Sequence, residues 1–190
     1  NWHYLTRLLN HPNGFASDPA FQTADGRPVF DNSKVVYDGN SQGAVVGGAY
    51  VTIGGADPAD RNVIAGNTRN QIRLLDTADY AVVLGNHLGT DLAGTSDVDG
   101  VGQTGYDHSG IVVSGAGYVR IGGTDPAERN LISGNGYYGI ELVDGAHDAV
   151  VQGNYVGTDI TGAVALGNGF GVAFWNTGAG NLFGGGASGA

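Results

Sequence analysis

The stretch Tyr50-Val-Thr-Ile-Gly-Gly-Ala-Asp-Pro-Ala-Asp-Arg-Asn-Val-Ile-Ala-Gly-Asn67 returns 68 positions further on. There it reads Tyr118-Val-Arg-Ile-Gly-Gly-Thr-Asp-Pro-Ala-Glu-Arg-Asn-Leu-Ile-Ser-Gly-Asn135. The match runs without a gap from 50–94 onto 118–162, and 26 of its 45 residue pairs are identical. Apolar positions stay apolar, and self-similarity at a fixed spacing is typical of repeat architectures.

A shorter period lies inside each long repeat. Val63–Asn67 is echoed by Val82–Asn86, 19 residues later. Segments such as Ile72-Arg73-Leu74 alternate apolar and polar residues, which indicates a short strand with one wet face. We therefore expect coils of roughly 19 to 23 residues, stacked so that each strand pairs in parallel with its counterpart about 4.8 Å away. The recurring Gly-Asn pairs suit the corners, because both residue types tolerate left-handed backbone.

The predicted fold class is all-β, a parallel β-helix (β-solenoid) of about seven coils spanning residues 34–190. Residues 1–33 lie outside the repeat and are predicted to cap the first coil, since a solenoid needs a polar or capped end for solubility. A second interpretation is that this segment docks on another subunit. Its candidate assembly residues are apolar and close together: Trp2, Tyr4, Leu5, Leu8 and Leu9.

Three phrases in the sequence, at 121–136, 152–159 and 161–169, resemble the repeats of right-handed parallel β-helix proteins of bacterial cell surfaces. They read Ile-Gly-Gly-Thr-Asp-Pro-Ala-Glu-Arg-Asn-Leu-Ile-Ser-Gly-Asn-Gly, Gln-Gly-Asn-Tyr-Val-Gly-Thr-Asp and Thr-Gly-Ala-Val-Ala-Leu-Gly-Asn-Gly. The resemblance covers about residues 43–190 and implies a right-handed helix of pectin-lyase-like architecture. Because that architecture carries lyases, hydrolases, adhesins and structural rods, the resemblance implies a fold more than a function.

Composition narrows the function classes. The chain holds 18 acidic and 8 basic residues, a net charge of −10, which argues against a nucleic-acid partner. There is no run of about 18 apolar residues, so no membrane insertion is expected. Cysteine is absent, which excludes disulfides and thiol chemistry. An acidic chain rich in Gly and poor in Lys is typical of extracellular or cell-surface proteins, and we expect that location.

The C-terminal residues predict an assembly contact. Leu182 and Phe183 begin what reads as another Ile-Gly-Gly coil, and an uncovered parallel edge is a template for pairing. Either the native chain continues, or the next subunit stacks there. We expect a homo-oligomer formed through coil ends, and a head-to-tail contact that does not close gives a filament or surface assembly.

The loop 95–108 holds a candidate Ca²⁺ site. Asp97, Asp99 and Asp107 supply clustered oxygen ligands, which Ca²⁺ prefers, although the full EF-hand pattern is missing. The alternative is a solvated acidic loop inserted into one repeat.

Other acids recur in each copy, such as Asp57 with Asp125 and Asp91 with Asp159, which indicates turn capping or pairing with Arg61. No catalytic residue is assigned; the acids and histidines that lack a like residue in the other copy are Asp79, His87, Glu141, His147 and Asp148.

The aromatic residues offer a competing function. Tyr137, Tyr138, Phe174 and Trp175 interrupt the repeat, and we expect them to contact a glycan or a neighbouring subunit. The leading hypothesis is an extracellular structural β-solenoid that self-associates end to end. The alternative is a module that binds or cleaves polysaccharide.

Overall fold

The structure is a computed structural model that describes residues 29–30, 36–37, 42–98 and 108–185. Within these residues it is a parallel β-helix, which confirms the predicted fold class. The only helical elements there are two short 3₁₀ turns, Pro58–Asp60 and Pro126–Glu128.

Sixteen short strands in the described residues form three sheets, and every strand pair in these sheets is parallel. Sheet A has the order β1-β4-β7-β10-β13-β16, sheet B the order β14-β11-β8-β5-β2, and sheet C the order β15-β12-β9-β6-β3. The strands are β1 Val29–Phe30, β2 Val36–Tyr37, β3 Ala44–Val46, β4 Thr52–Gly54, β5 Val63–Ala65, β6 Ile72–Leu74, β7 Val82–Leu84, β8 His87–Leu88, β9 Ile111–Ser114, β10 Arg120–Gly122, β11 Leu131–Ile132, β12 Tyr138–Val143, β13 Val150–Gln152, β14 Tyr155–Val156, β15 Phe170–Trp175 and β16 Leu182–Phe183.

Each coil takes one strand from each sheet, and most coils are longer than predicted. The sheet A strands of coils 1 to 5 begin at Val29, Thr52, Val82, Arg120 and Val150, and that of the next coil begins at Leu182. These starts make coils of 23, 30, 38, 30 and 32 residues. The expectation of 19- to 23-residue coils is therefore met by the first coil and wrong for the other four, and the described residues form five coils and the start of a sixth rather than seven.

The 68-residue repeat is a pair of coils that differ in the position of their long loop. Coils 2 and 4 place a long loop between sheets A and B, at residues 55–62 and 123–130. Coils 3 and 5 turn that corner in two residues, Gly85-Asn86 and Gly153-Asn154, and place their long loop between sheets B and C. The 19-residue echo arises because the same Gly-Asn turn lies between sheets B and C in coil 2 (Gly66-Asn67) and between sheets A and B in coil 3 (Gly85-Asn86).

The core consists of columns of inward side chains, one from each coil. In sheet A, Ile53, Val83, Ile121 and Val151 lie in register and are buried. Sheet C carries two such columns, one through Ile72 and one through Leu74. Arg73 lies between them and points outward, as the predicted alternation required, and Glu141 does so in the second copy. A single short strand buries little area, so the hydrophobic gain comes from this stacking.

Buried asparagines hold the corner between sheets A and B. The Nδ2 of Asn62 donates to Asn86 Oδ1 at 2.7 Å, that of Asn86 to Asn130 Oδ1 at 3.0 Å, and that of Asn130 to Asn154 Oδ1 at 2.8 Å. The first three are fully buried, so their amides must be paired within the protein. We call these four residues the asparagine ladder (Asn62, Asn86, Asn130, Asn154). Their side-chain amides bond from one coil to the next at this corner.

Most of the predicted N-terminal segment, residues 1–33, lies outside the described residues, and so do Trp2, Tyr4, Leu5, Leu8 and Leu9. Its residues Val29–Phe30 form β1 and pair with β4 of the next coil. Whether the rest of the segment caps the helix stays a prediction.

Candidate functional site

The predicted Ca²⁺ loop is only partly within the described residues. Asp97 lies in the first hairpin (residues 89–98), where it bridges to Thr90 across two antiparallel arms, whereas Asp99 and Asp107 lie outside the described residues. In the described part of the chain, no three acidic or histidine side chains are grouped so that they could hold a metal ion.

The acids that recur between the copies cap turns. Asp57 and Asp125 accept the amide N–H of Ala59 and Ala127 at the start of the 3₁₀ turns, at 2.8 and 2.9 Å. Asp159 accepts three amides and the Thr161 hydroxyl in the second hairpin (residues 157–166), and these bonds hold the pKa of its carboxyl below the ordinary value.

Asp91 accepts the amide N–H groups of Thr95 and Ser96 in the first hairpin, at 2.9 and 3.2 Å. Arg61 and Arg129 instead donate their Nε to the carbonyls of Gly85 and Gly153.

The acids and histidines without a like residue in the other copy lie on three different parts of the solenoid. Glu141 points outward from sheet C, and His87 lies beneath the first hairpin. Asp79, His147 and Asp148 share the corner between sheets C and A, where His147 Nδ1 lies 3.0 Å from Asp148 Oδ2 and Asp79 accepts the amide of Gly117. Glycoside hydrolysis needs two carboxyl groups facing one sugar ring. Asp79 and Asp148 share one corner, where their described partners are Gly117 and His147, whereas Glu141 lies on sheet C.

A tyrosine ladder at the same corner was not predicted. Tyr50, Tyr80 and Tyr118 precede strands of sheet A in three successive coils, and their rings stack in parallel with centroids 4.9 and 4.8 Å apart. All three have positive φ, near 60°, which is costly for a bulky residue. In the next two coils the position holds Asp148 and Gly180, residue types that adopt this backbone more readily.

The ladder shows its ring edges and hydroxyls to solvent, with each side chain 43% to 59% exposed. Because neighbouring rings cover one another's faces, the ladder is not a flat platform for a sugar. His147 closes one end, edge-on to Tyr118 with centroids 5.4 Å apart. The repeat alignment pairs Tyr50 with Tyr118, but Tyr80 becomes visible only when the chain is divided into 30- and 38-residue coils.

The predicted contact aromatics divide into buried and exposed members. Tyr138 is buried against Tyr137 and Phe170, with ring centroids 4.1 and 5.2 Å away, so it has little surface for a partner. Trp175 is exposed and lies in register with Val143 on the outer side of sheet C.

Phe174 occupies an inward position. Its column continues Val46, Leu74, Val113 and Leu142, all of which are buried.

Phe174 and Phe183 form the centre of an apolar end surface, which we call the C-terminal coil face together with Val156 and Val172. Phe183 is 57% exposed although its column neighbour Val151 is 1% exposed, and Phe174 is 39% exposed although Leu142 is fully buried. The two rings meet edge-on at 6.4 Å. Beside them Leu182 is exposed as well, and no further coil covers this face among the described residues.

No protein-family model matches the chain, and neither a curated protein nor a solved structure gives a significant match. The described residues contain no helix with the length and apolar character needed to span a membrane.

Proposed function

We propose that this chain is a structural β-solenoid of the extracellular space or cell surface, and that it self-associates end to end. The observation that carries the proposal is the C-terminal coil face. It presents as exposed aromatic surface two core columns whose other members with described side chains are buried. An apolar patch of this kind on a folded protein usually marks a contact.

The geometry of the sheets supports a second copy as the occupant. Among the described residues, the outermost strands are β1 and β16 in sheet A, β2 and β14 in sheet B, and β3 and β15 in sheet C. A second copy stacked head to tail would add its β1, β2 and β3 to β16, β14 and β15 and continue the columns. Such a contact joins two different surfaces and repeats indefinitely unless it closes into a ring.

The carboxylates favour a structural role over catalysis. Asp57, Asp91, Asp125 and Asp159 cap turns, and two further recurring acids, Asp144 and Glu128, bind the Ser114 hydroxyl and Arg120. An acidic chain rich in Gly and poor in Lys is typical of extracellular proteins, which supports that location.

Sedimentation velocity of the purified chain over a wide concentration range tests the proposal. We expect the wild type to form larger species as concentration rises, and Phe183→Asp to remain monomeric. Leu92→Asp is the matched control, because Leu92 is an equally exposed apolar residue at the tip of the first hairpin, away from the coil face. A wild-type protein that stays monomeric at high concentration refutes self-association, and equal dissociation of both variants refutes the role of the coil face.

Polysaccharide binding is a second candidate, and the exposure of Trp175 favours it. A large ring on the outer face of sheet C is free to stack on a sugar. Titration of neutral and acidic polysaccharides against tryptophan fluorescence tests this, with Trp175→Ala as the control. Saturable quenching that the variant loses, in a protein already made monomeric by Phe183→Asp, would support glycan binding independently of assembly.

A further inference from the structure

His87 is a buried titratable group that neither the assembly contact nor the caps use. It begins β8 in the outer column of sheet B, between Val63 on β5 and Leu131 on β11. The side chain is only 2% exposed because the first hairpin folds back over it. Gly94 of that hairpin lies so close that a Cβ there would stand 3.1 Å from the His87 Cε1.

The imidazole has poor polar partners. Its Nδ1 lies 3.4 Å from the carbonyl oxygen of Asp91, and its Nε2 is buried without any hydrogen-bond partner. The Oδ1 of Asp91 accepts the amides of Thr95 and Ser96 at 2.9 and 3.2 Å, and the imidazole contacts the Asp91 carbonyl rather than the carboxylate. A neutral ring leaves one lone pair unpaired here, whereas a protonated ring would leave a charged N–H without an acceptor, which costs more.

The charged groups around His87 also oppose a second positive charge. Arg61, on the long loop before β5, carries a positive charge that disfavours protonation of the imidazole. Asp91 of the hairpin carries a negative charge that favours it. Burial and then Arg61 lower the pKa of His87, and the Asp91 contribution is smaller. The neighbours in its column, Val63 and Leu131, are apolar.

The second copy of the repeat places a different side chain at this position. Tyr155 follows the corner of coil 5 as His87 follows that of coil 3, and the second hairpin lies beside it. The guanidinium of Arg129, the counterpart of Arg61, lies 4.1 Å from the centre of the Tyr155 ring. A cation above an aromatic ring is favourable, and tyrosine does not become charged in acid. The two hairpins therefore share a sequence motif but differ in the group beneath them.

We infer that the first hairpin is an acid-released latch: protonation of His87 expels the imidazole into water and detaches residues 89–98 from sheet B, while the second hairpin stays closed. Release exposes the outer column formed by Val63, His87 and Leu131. The trigger lies in the mildly acidic range, because a histidine that becomes solvated in the open form regains its ordinary pKa near 6.5.

Hydrogen exchange of the full chain, measured by mass spectrometry at pH 7.5 and 5.5 and corrected for intrinsic exchange, tests the inference. Two matching amides tie the hairpins to sheet B: Gly89 N–H donates to the Ile64 carbonyl in the first, and Gly157 N–H donates to the Ile132 carbonyl in the second. One bond joins the hairpins, from Ile160 N–H to the Gly94 carbonyl, and its amide is read with the first hairpin. At pH 5.5 the opening constant of the first hairpin should rise up to about tenfold, the limit for a group that ionises with pKa 6.5 only when open. The second hairpin should change less than about twofold.

Two substitutions sharpen the comparison. His87→Tyr installs the residue of the second copy and should abolish the acid response of the first hairpin. His147→Asn removes an exposed histidine at another corner and should leave the response intact. If His87→Tyr does not fold, His87→Leu serves, and the comparison of hairpins within the wild type needs no variant. Equal responses of both hairpins, or a response that survives removal of His87, would overturn the inference.

Discussion

The asparagine ladder predicts that alanine substitutions at two equivalent positions of the long repeats lower the free energy of unfolding by different amounts. Asn62 and Asn130 both end the Asp-Pro-Ala-(Asp/Glu)-Arg-Asn motif, and both are fully buried. They differ in how many ladder bonds their side chains make, because Asn130 has a ladder residue on each side whereas, among the described residues, Asn62 has one only on the Asn86 side. Replacing each by alanine therefore isolates the bonds from burial and residue type.

The side chain of Asn130 takes part in four hydrogen bonds. It accepts from the backbone N–H and from Nδ2 of Asn86, both at 3.0 Å, and donates to Val83 O and Asn154 Oδ1, both at 2.8 Å. Asn130→Ala leaves the buried Asn86 N–H without this acceptor, at about 1–3 kcal/mol, and removes three bonds that contribute about 0.5–1.5 kcal/mol each. We expect the free energy of unfolding to fall by about 2.5–7.5 kcal/mol.

Asn62→Ala should be far milder. The Asn62 side chain donates one bond, to Asn86 Oδ1, and its own Oδ1 is buried without a partner. Removing both groups costs one bond and relieves one unpaired acceptor, so the expected change is about 0–1 kcal/mol.

Urea denaturation followed by far-UV circular dichroism measures both variants, and a stepwise transition would place the loss in the coils next to residue 130. Two variants that agree within about 1 kcal/mol would refute the idea that ladder bonds stabilise the corner.

Two further predictions concern residues with positive φ. Gly85→Ala should lower the free energy of unfolding by more than about 2 kcal/mol, because the new Cβ would collide with a carbonyl oxygen of coil 2. In Gly66→Ala the new Cβ meets no atom within 4 Å, so the loss should be about 1 kcal/mol. Thermal unfolding measures both variants. Tyr80→Asn should lower stability by no more than about 1 kcal/mol, since relief of backbone strain offsets the loss of two ring stacks. Its near-UV circular dichroism should lose the signal of the stacked rings, and an unchanged spectrum would contradict the ladder.

The stacking of parallel coils could be predicted from the sequence because it depends on local signals. The alternation of Ile72, Arg73 and Leu74 appears in the structure as an outward arginine between two buried side chains. The Gly66-Asn67 and Gly85-Asn86 pairs mark real corners at which the glycine has positive φ. These features follow from periodicity and backbone preference, which operate over a few residues.

The coil length could not be predicted, because it depends on which corners lie above one another. The Gly-Asn turn serves the corner between sheets B and C at residue 66 and the corner between sheets A and B at residue 85. In sequence the two turns look like successive coils. The buried position of His87 was hidden for the same reason, since the hairpin that covers it is a local motif whose docking site is chosen by tertiary packing.

The alternation of loops explains why the unit of the repeat is two coils rather than one. The two-residue corner of coil 3 is too short to bond the N–H and carbonyl of Gly85 within itself. The long loops of coils 2 and 4 supply both partners. The Gly85 carbonyl accepts from Arg61 Nε of the loop in coil 2 at 3.2 Å, and the Gly85 N–H donates to the Glu128 carbonyl of the loop in coil 4 at 3.2 Å. Two adjacent tight corners would leave these groups unpaired, and two adjacent long loops would compete for the same space. Coils 2 to 5 therefore alternate in pairs, which is the spacing at which the sequence repeats.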